Sequence, residues 1–337
     1  MSHPPANEPG DDPSPSPESW WVFRGPAELP EPPPWRRFPA SARLPRARRH
    51  LMSADEVSVV NAALHLRRPL LVTGRPGTGK SSLARAVAED LGLGEVLRWS
   101  VNSRSTLADA LYRYDAVGRL REASLQRERE PVRGAARRLR RRTGPGPGIG
   151  NYLRLGPLGT ALASADRPRV LLIDEIDKSD IDLPNDLLVV LEEGEFEIPE
   201  LARLPEHQQT ADVLATGSRE RVRVQRGVVS CSHFPVIVMT SNGEREFPPA
   251  FLRRCVRLDL SDPDEAKLRD IVRQNLGDEA LAQADDLIGD FLRRAAVQSL
   301  ATDQLLAAVH LRVTGADLGR EELLSAVMHR LDEAFPG

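Results

Sequence analysis

A three-layer αβα fold built on a parallel sheet, followed by an all-helical domain, is what this 337-residue sequence predicts. Three observations point there. Between about residues 48 and 262, short apolar runs of strand length alternate with segments of helical spacing. One such run opens directly into a glycine-rich loop and then an amphipathic helix. Beyond Asp262 the strand pattern stops and only helical spacing continues.

Residues 1–47 form a proline-rich leader, with 12 of the 28 prolines in the first 40 positions, and are expected to be disordered. Trp20, Trp21 and Trp35 lie in it with Phe23 and Phe38. It is therefore either a free tail or an aromatic strap that docks on the folded chain or on a partner. "ADEVSVVNAALHL" (Ala54 to Leu66) has helical spacing, and "PLLVT" (Pro69 to Thr73) reads as the first buried strand. Further strands are expected at 96–101, 170–173, 236–239 and 255–260. Helical patterns separate most of them, as parallel pairing requires. An insertion at about 121–149 breaks this order, with nine arginines between Arg121 and Arg142 and a Gly/Pro hinge after them. It reads as a solvated excursion, or as a local contact to an acidic partner or nucleic acid. In the helical domain, 263–337, Leu287/Ile288, Phe291/Leu292 and Ala295 share a face, as do Leu324, Val327/Met328, Leu331 and Phe335.

Composition narrows the functional classes. A net charge of −3 and a pI near 6.2 provide no global basic field to gather nucleic acid. Cys231 and Cys255 are the only cysteines, which argues against a disulfide scaffold and suits a reducing cytoplasm. No apolar run approaches the roughly 18–20 residues of a membrane helix. Lys80, Lys178 and Lys267 are the only lysines in a chain whose basic charge is otherwise arginine.

One of the three stands in "GRPGTGKSS", Gly74 to Ser82, a G-x-x-x-x-G-K-[ST] loop between a buried strand and a helix. Here Gly74, Arg75, Pro76, Gly77, Thr78, Gly79, Lys80, Ser81 and Ser82 would cradle the phosphates of ATP. Glycines let the backbone curl so that successive N–H groups face phosphate oxygens, and the helix N-terminus adds a favourable field. Lys80 reaches the β- and γ-phosphates and the Ser81 hydroxyl ligates Mg²⁺. "RVLLIDEIDKSD" ends an apolar strand in two acids: Asp174 to support the metal and Glu175 to polarise the attacking water. Asp177 to Asp180, which follow, read as solvated loop residues, with Lys178 close enough in sequence to pair with a neighbouring carboxylate. "VIVMTSN" ends a third strand in Asn242, whose amide can hold the lytic water or touch the γ-phosphate.

Together these residues resemble an AAA+ ATPase, a P-loop NTPase, of the MoxR-like group, over about residues 50–335. "GRPGTGKS", "LLIDEIDKS" and "TSN" look like Walker A, Walker B and sensor 1, and "RLGPLGTALASADRPRVLLIDE" is similar to the group's Gly-Pro-Leu helix before Walker B. "EEGEFEIPE" with "RVRVQRGVVSC" looks like the group's β-hairpin insert, about 195–233, and "RSTLADALYRYDAVGRL" stands where the group inserts structure near its second helix. The resemblance implies a helical lid at 263–337, ATP hydrolysis with Mg²⁺, and a ring, in most cases a hexamer, that remodels a protein client in the manner of a chaperone. In the family, an arginine after sensor 1 acts on ATP held by the next subunit. "FPPAFLRRC" aligns with that segment and departs from it, because Arg253 stands where an aspartate is usual; register favours Arg254 as the finger over Arg253. The lid arginine of sensor 2 has no counterpart in register, although Arg293, Arg294 or Arg312 could substitute. More narrowly, the chain looks like a bacterial subgroup associated with von Willebrand factor A proteins and conflict or defence systems. Two rival readings are a nucleic-acid motor or restriction-type NTPase using Arg121 to Arg142, and a non-motor switch that assembles on ATP.

Overall fold

The computed structural model describes residues 22–23, 29–37, 51–129, 148–297, 300–316, 318 and 321–329. Its strands are Leu70–Thr73 (β1), Leu97–Ser100 (β2), Tyr112–Tyr114 (β3), Leu153–Leu155 (β4), Val170–Asp174 (β5), Glu195–Glu197 (β6), Thr210–Leu214 (β7), Arg221–Gln225 (β8), Val228–Ser230 (β9), Val236–Ser241 (β10) and Val256–Asp259 (β11). The chain divides into two compact units, residues 45–262 and residues 1–44 with 263–337.

The five strands expected from sequence make one parallel sheet in the order β11-β1-β10-β5-β2. The runs of the three central strands, β1, β10 and β5, are continuous because both faces are covered, whereas the edge strands β2 and β11 alternate buried or half-buried with exposed residues. Alternate residues serve opposite faces, so each run feeds two cores. Leu70, Val72, Val170, Leu172 and Val238 pack with Val60 and Ala63 of helix Ala54–Leu66 and with Leu83 and Val87 of helix Lys80–Asp90. On the other face, Leu71, Leu171, Ile173 and Met239 meet Leu158 and Leu162 of helix Pro157–Leu162 and Leu187 of helix Leu183–Glu193. Burying each such side chain contributes about 1.5–3 kcal/mol. The result is the expected αβα sandwich, which sets the C-terminal ends of β1, β5 and β10 side by side.

A second sheet, in the order β3-β4-β7-β8-β9-β6, was not anticipated. The two stretches read as a hairpin insert supply its strands β6, β8 and β9, with β6 and β9 antiparallel over three residues, and β7, which the motif did not mark, pairs with β8 over five. Four strands of three residues extend that pair.

The Ala54–Leu66 helix starts in a capping box, Ser53 Oγ accepting the Glu56 N–H and Glu56 Oε2 accepting the Ser53 N–H at 2.7 Å. Helix Ala116–Arg129 covers the start of the arginine-rich insertion; its continuation, 130–147, lies outside the described residues, as do Trp20, Trp21, Phe38, Leu331 and Phe335.

In the other unit, helices Glu265–Leu276, Asp278–Ala282, Asp285–Ala295, Thr302–Val313 and Glu321–Val327 close over Leu268, Leu287, Ile288, Phe291, Leu305 and Val309. The leader contributes a short 3₁₀ turn, Pro34–Arg36, and the Trp35 ring lies edge-on to His310 with centroids 5.7 Å apart. At Trp35 the leader thus touches its own unit, whereas Phe23 is exposed. Among the described residues no helix is long and apolar enough to cross a membrane.

Candidate functional site

The glycine-rich loop joins β1 to helix Lys80–Asp90. At Gly74, φ is +145° and a Cβ would lie 2.7 Å from the Leu260 carbonyl oxygen, so any larger residue is excluded there. Lys80 is buried and folded back over the loop, with Nζ donating to the carbonyls of Gly74 (2.6 Å) and Arg75 (2.8 Å). Burial lowers its pKa, and the charges of Asp177, Asp174 and Glu175 partly oppose that shift.

A cleft of about 440 Å³ opens beside the loop. Pro76, Gly77, Gly79, Lys80, Ser81 and Ser82 form one wall, and Asp174, Glu175, Thr240 and Asn242 stand with Arg98 and Ser100 around the rest. Arg75 and Thr78 are turned elsewhere, Arg75 to Asp262 at 3.0 Å and the Thr78 hydroxyl to the Arg75 carbonyl at 2.8 Å.

Asp174 ends the central strand β5 and is buried. Its Oδ1 accepts the hydroxyls of Ser81 and Thr240, both at 2.7 Å, and its Oδ2 accepts Arg98 Nη2 at 2.5 Å. Burial alone would raise its pKa; the Ser81 and Thr240 hydrogen bonds and the Arg98 charge together outweigh this and hold it below the usual carboxylate value. Glu175 follows in the left-handed region at φ +61°, a costly conformation for a residue with a side chain. Its N–H donates to Thr240 Oγ1 at 2.8 Å, and its carboxylate pairs with Lys178 Nζ at 3.1 Å. That hydrogen bond raises the Lys178 pKa.

Sequence reasoning placed Asp177 and Ser179 in solvent, and here the structure corrects it: both are buried. Asp177 Oδ2 accepts the backbone N–H groups of Asn242 (2.8 Å) and Glu244 (3.2 Å), while its Oδ1 is buried without a hydrogen-bond partner among the described residues. The end of β10 has N–H groups with no strand to bond, and Asp177 supplies the acceptor. Thr240, Arg98 and Asp177 are the site residues that motif reading missed. The only sequence signal for Arg98 is the alternation in "LRWS", which buries Leu97 and Trp99 and turns Arg98 and Ser100 the other way.

Arg253 and Arg254 follow the short helix Pro249–Leu252, anchored by the fully buried Phe251, and both are exposed. Neither lines the cleft of its own chain. Arg254 Nε pairs with Glu192 of helix Leu183–Glu193 and its Nη1 reaches the Ala250 carbonyl at 3.3 Å. Of the candidates for sensor 2, Arg293 pairs with Asp290, and Arg312 pairs with Asp286 and with the Gln283 carbonyl.

Ser81 and Asp174 offer hard oxygen donors side by side, which suits Mg²⁺, an ion that takes one or two protein oxygens and completes its shell with phosphates and water. Among the described residues there is no cluster of three or more His, Cys, Asp or Glu side chains placed to hold a metal.

No protein of curated function matches the chain. Among solved structures, NtrX from Brucella abortus, crystallised in complex with ADP, is 14% identical, with 79% of this chain and 52% of that chain covered and a TM-score of 0.39. The chain thus spans about half the length of that protein. The sequence model of the AAA domain (dynein-related subfamily) matches residues 69–255, more than half of the sequence, taking in the phosphate loop, the two acids, Asn242 and both arginines. The chain belongs to the dynein-related subfamily of AAA-domain proteins.

Proposed function

We infer that this AAA protein is a Mg²⁺-dependent ATPase of the MoxR-like kind, working as a ring that remodels a protein client. The observation that carries the reading is the convergence of Lys80, Ser81, Asp174, Glu175 and Asn242, from three separate chain segments, on one cleft. The loop N–H groups and Lys80 bind the phosphates, Ser81 and Asp174 hold the metal, Glu175 accepts the proton of the attacking water, and Asn242 orients that water or the γ-phosphate. The metal, when bound, neutralises charge on the β- and γ-phosphate oxygens. Arg254 is the trans finger: exposed, outside its own cleft and held by Glu192 along one edge, it keeps Nη2 for a neighbour's phosphates. A von Willebrand factor A domain protein is the kind of client the resemblance points to.

Turnover per subunit, followed across the concentration range where sedimentation shows assembly, tests this. A steep rise with assembly is expected. Arg254→Ala should abolish it, with recovery on mixing with Glu175→Gln, because one mixed interface then has an intact base and an intact finger. Flat turnover would remove the shared site and leave the cleft as a self-contained nucleotide site; arginine dependence at Arg253 alone would move the finger by one residue.

A further inference from the structure

Asp174 is engaged on both oxygens. Ser81 and Thr240 take Oδ1, as metal-supporting aspartates allow, but Oδ2 carries the Arg98 guanidinium at 2.5 Å. A fixed cation on that carboxylate competes with a divalent cation in two ways, by occupying lone pairs and by electrostatic repulsion. The pair is lopsided in exposure: the Asp174 side chain is 7% exposed and that of Arg98 is 53%. The acid cannot leave, whereas the arginine has somewhere to go. Arg98 lines the nucleotide cleft and also a neighbouring cleft of about 290 Å³, whose wall carries Arg113 and Arg154. Those two arginines are direct cross-strand partners in the β3–β4 pair. Asp109 approaches Arg113 at 3.6 Å, and Arg154 has no ion-pair partner among the described residues. That cleft also holds Asp109, so an Arg98 that withdraws from Asp174 meets two arginines and one aspartate, an excess of like charge that favours its return.

We propose that Arg98 is a latch on the metal site, holding Asp174 until a divalent cation arriving with nucleotide displaces it. The proposal rests on the reading of Asp174 as a metal-supporting residue. It makes cation loading and Arg98 withdrawal linked equilibria, so that removing the arginine must tighten the cation. A purely structural Arg98 would not do that. Arg98 is thereby a positioning residue, setting the cation requirement through Asp174.

The test uses the full chain with saturating ADP and Mn²⁺ as the probe, bound metal being read from the loss of the free Mn²⁺ EPR signal against a protein-free control. Arg98→Met keeps an apolar stem and removes the charge; it should tighten Mn²⁺ about five- to tenfold, the equivalent of one charged hydrogen bond. Arg98→Lys, with a shorter and less directional cation, should fall between, and it serves if the methionine variant fails to fold by thermal melting. Asp174→Asn should weaken Mn²⁺ by about tenfold or more and should erase the gain from Arg98→Met. If Asp174→Asn weakens Mn²⁺ while both Arg98 variants leave it unchanged or weaker, the latch is overturned and Asp174 keeps its role. If Asp174→Asn has no effect, the metal reading itself falls, and the latch with it.

Discussion

The Thr240 hydroxyl donates to Asp174 Oδ1 at 2.7 Å, and the hydroxyl oxygen, Thr240 Oγ1, accepts the Glu175 N–H at 2.8 Å. One side chain from β10 thus fixes both acids at the end of β5, and it holds Glu175 in a backbone conformation that costs about 1–3 kcal/mol. Thr240→Val keeps the shape and removes both hydrogen bonds. Turnover should fall about tenfold or more, as when outer partners of a metal site are lost. Stability to urea should fall by about 1–3 kcal/mol, since a backbone donor and a buried carboxylate lose a partner. Unchanged turnover would mean that the Glu175 geometry is set elsewhere.

The Glu175–Lys178 contact is of another kind. Both side chains are 40% or more exposed, so the pair contributes little to stability. Lys178→Ala should change turnover by less than about fivefold, whereas Glu175→Gln should lower it by about a hundredfold or more. Steady-state ATPase assays on the two variants separate a neighbour from a base.

Glu192 grips Arg254 at Nε, and Nη1 reaches the Ala250 carbonyl. If that grip aims the finger, Glu192→Ala should lower assembled turnover about three- to tenfold, less than Arg254→Ala, with nucleotide affinity unchanged. A half-exposed pair of this type contributes at most about 1 kcal/mol, so the melting temperature should barely move. A loss of nucleotide binding in Glu192→Ala would instead place the defect in the fold.

The Gly-Pro-Leu helix shows how much could be read in advance and how much could not. The motif announced a helix before β5, but the reason for its glycines is tertiary: a Cβ on Gly159 would lie 1.9 Å from the Leu111 carbonyl oxygen. Gly159→Ala should therefore destabilise by about 1–3 kcal/mol or more in denaturant melts, despite alanine's better helix propensity. The central parallel strands β1, β5 and β10 were legible because each is an apolar run buried on both faces. The phosphate loop and the acid pair were legible because their chemistry fixes residue type and spacing. The second sheet was not, since strands such as Tyr112–Tyr114 and Leu153–Leu155 are three residues long, too short for a period to register. Arg98 and Thr240 act through contacts across strands that are neighbours only in the sheet, so no local pattern marks their role, and the alternation in "LRWS" shows only which way Arg98 faces.

His310 is the residue through which pH reports on the leader. Burial lowers its pKa, with the Arg37 charge adding to the effect, and the Trp35 ring packs edge-on against it. A folded-state pKa below the unfolded value means that the unfolded chain binds more protons. The contribution to stability is therefore full above the ordinary histidine value near 6.5 and is lost as pH falls through the lowered folded value. Titrating the His310 ring protons by NMR should give a midpoint below the ordinary value, and Trp35→Ala should move it back upward as water reaches the ring. The same substitution should make unfolding stability less dependent on pH below about 6.5. An unmoved midpoint in Trp35→Ala would assign the shift to the helices around His310 and leave the Trp35 contact without thermodynamic weight.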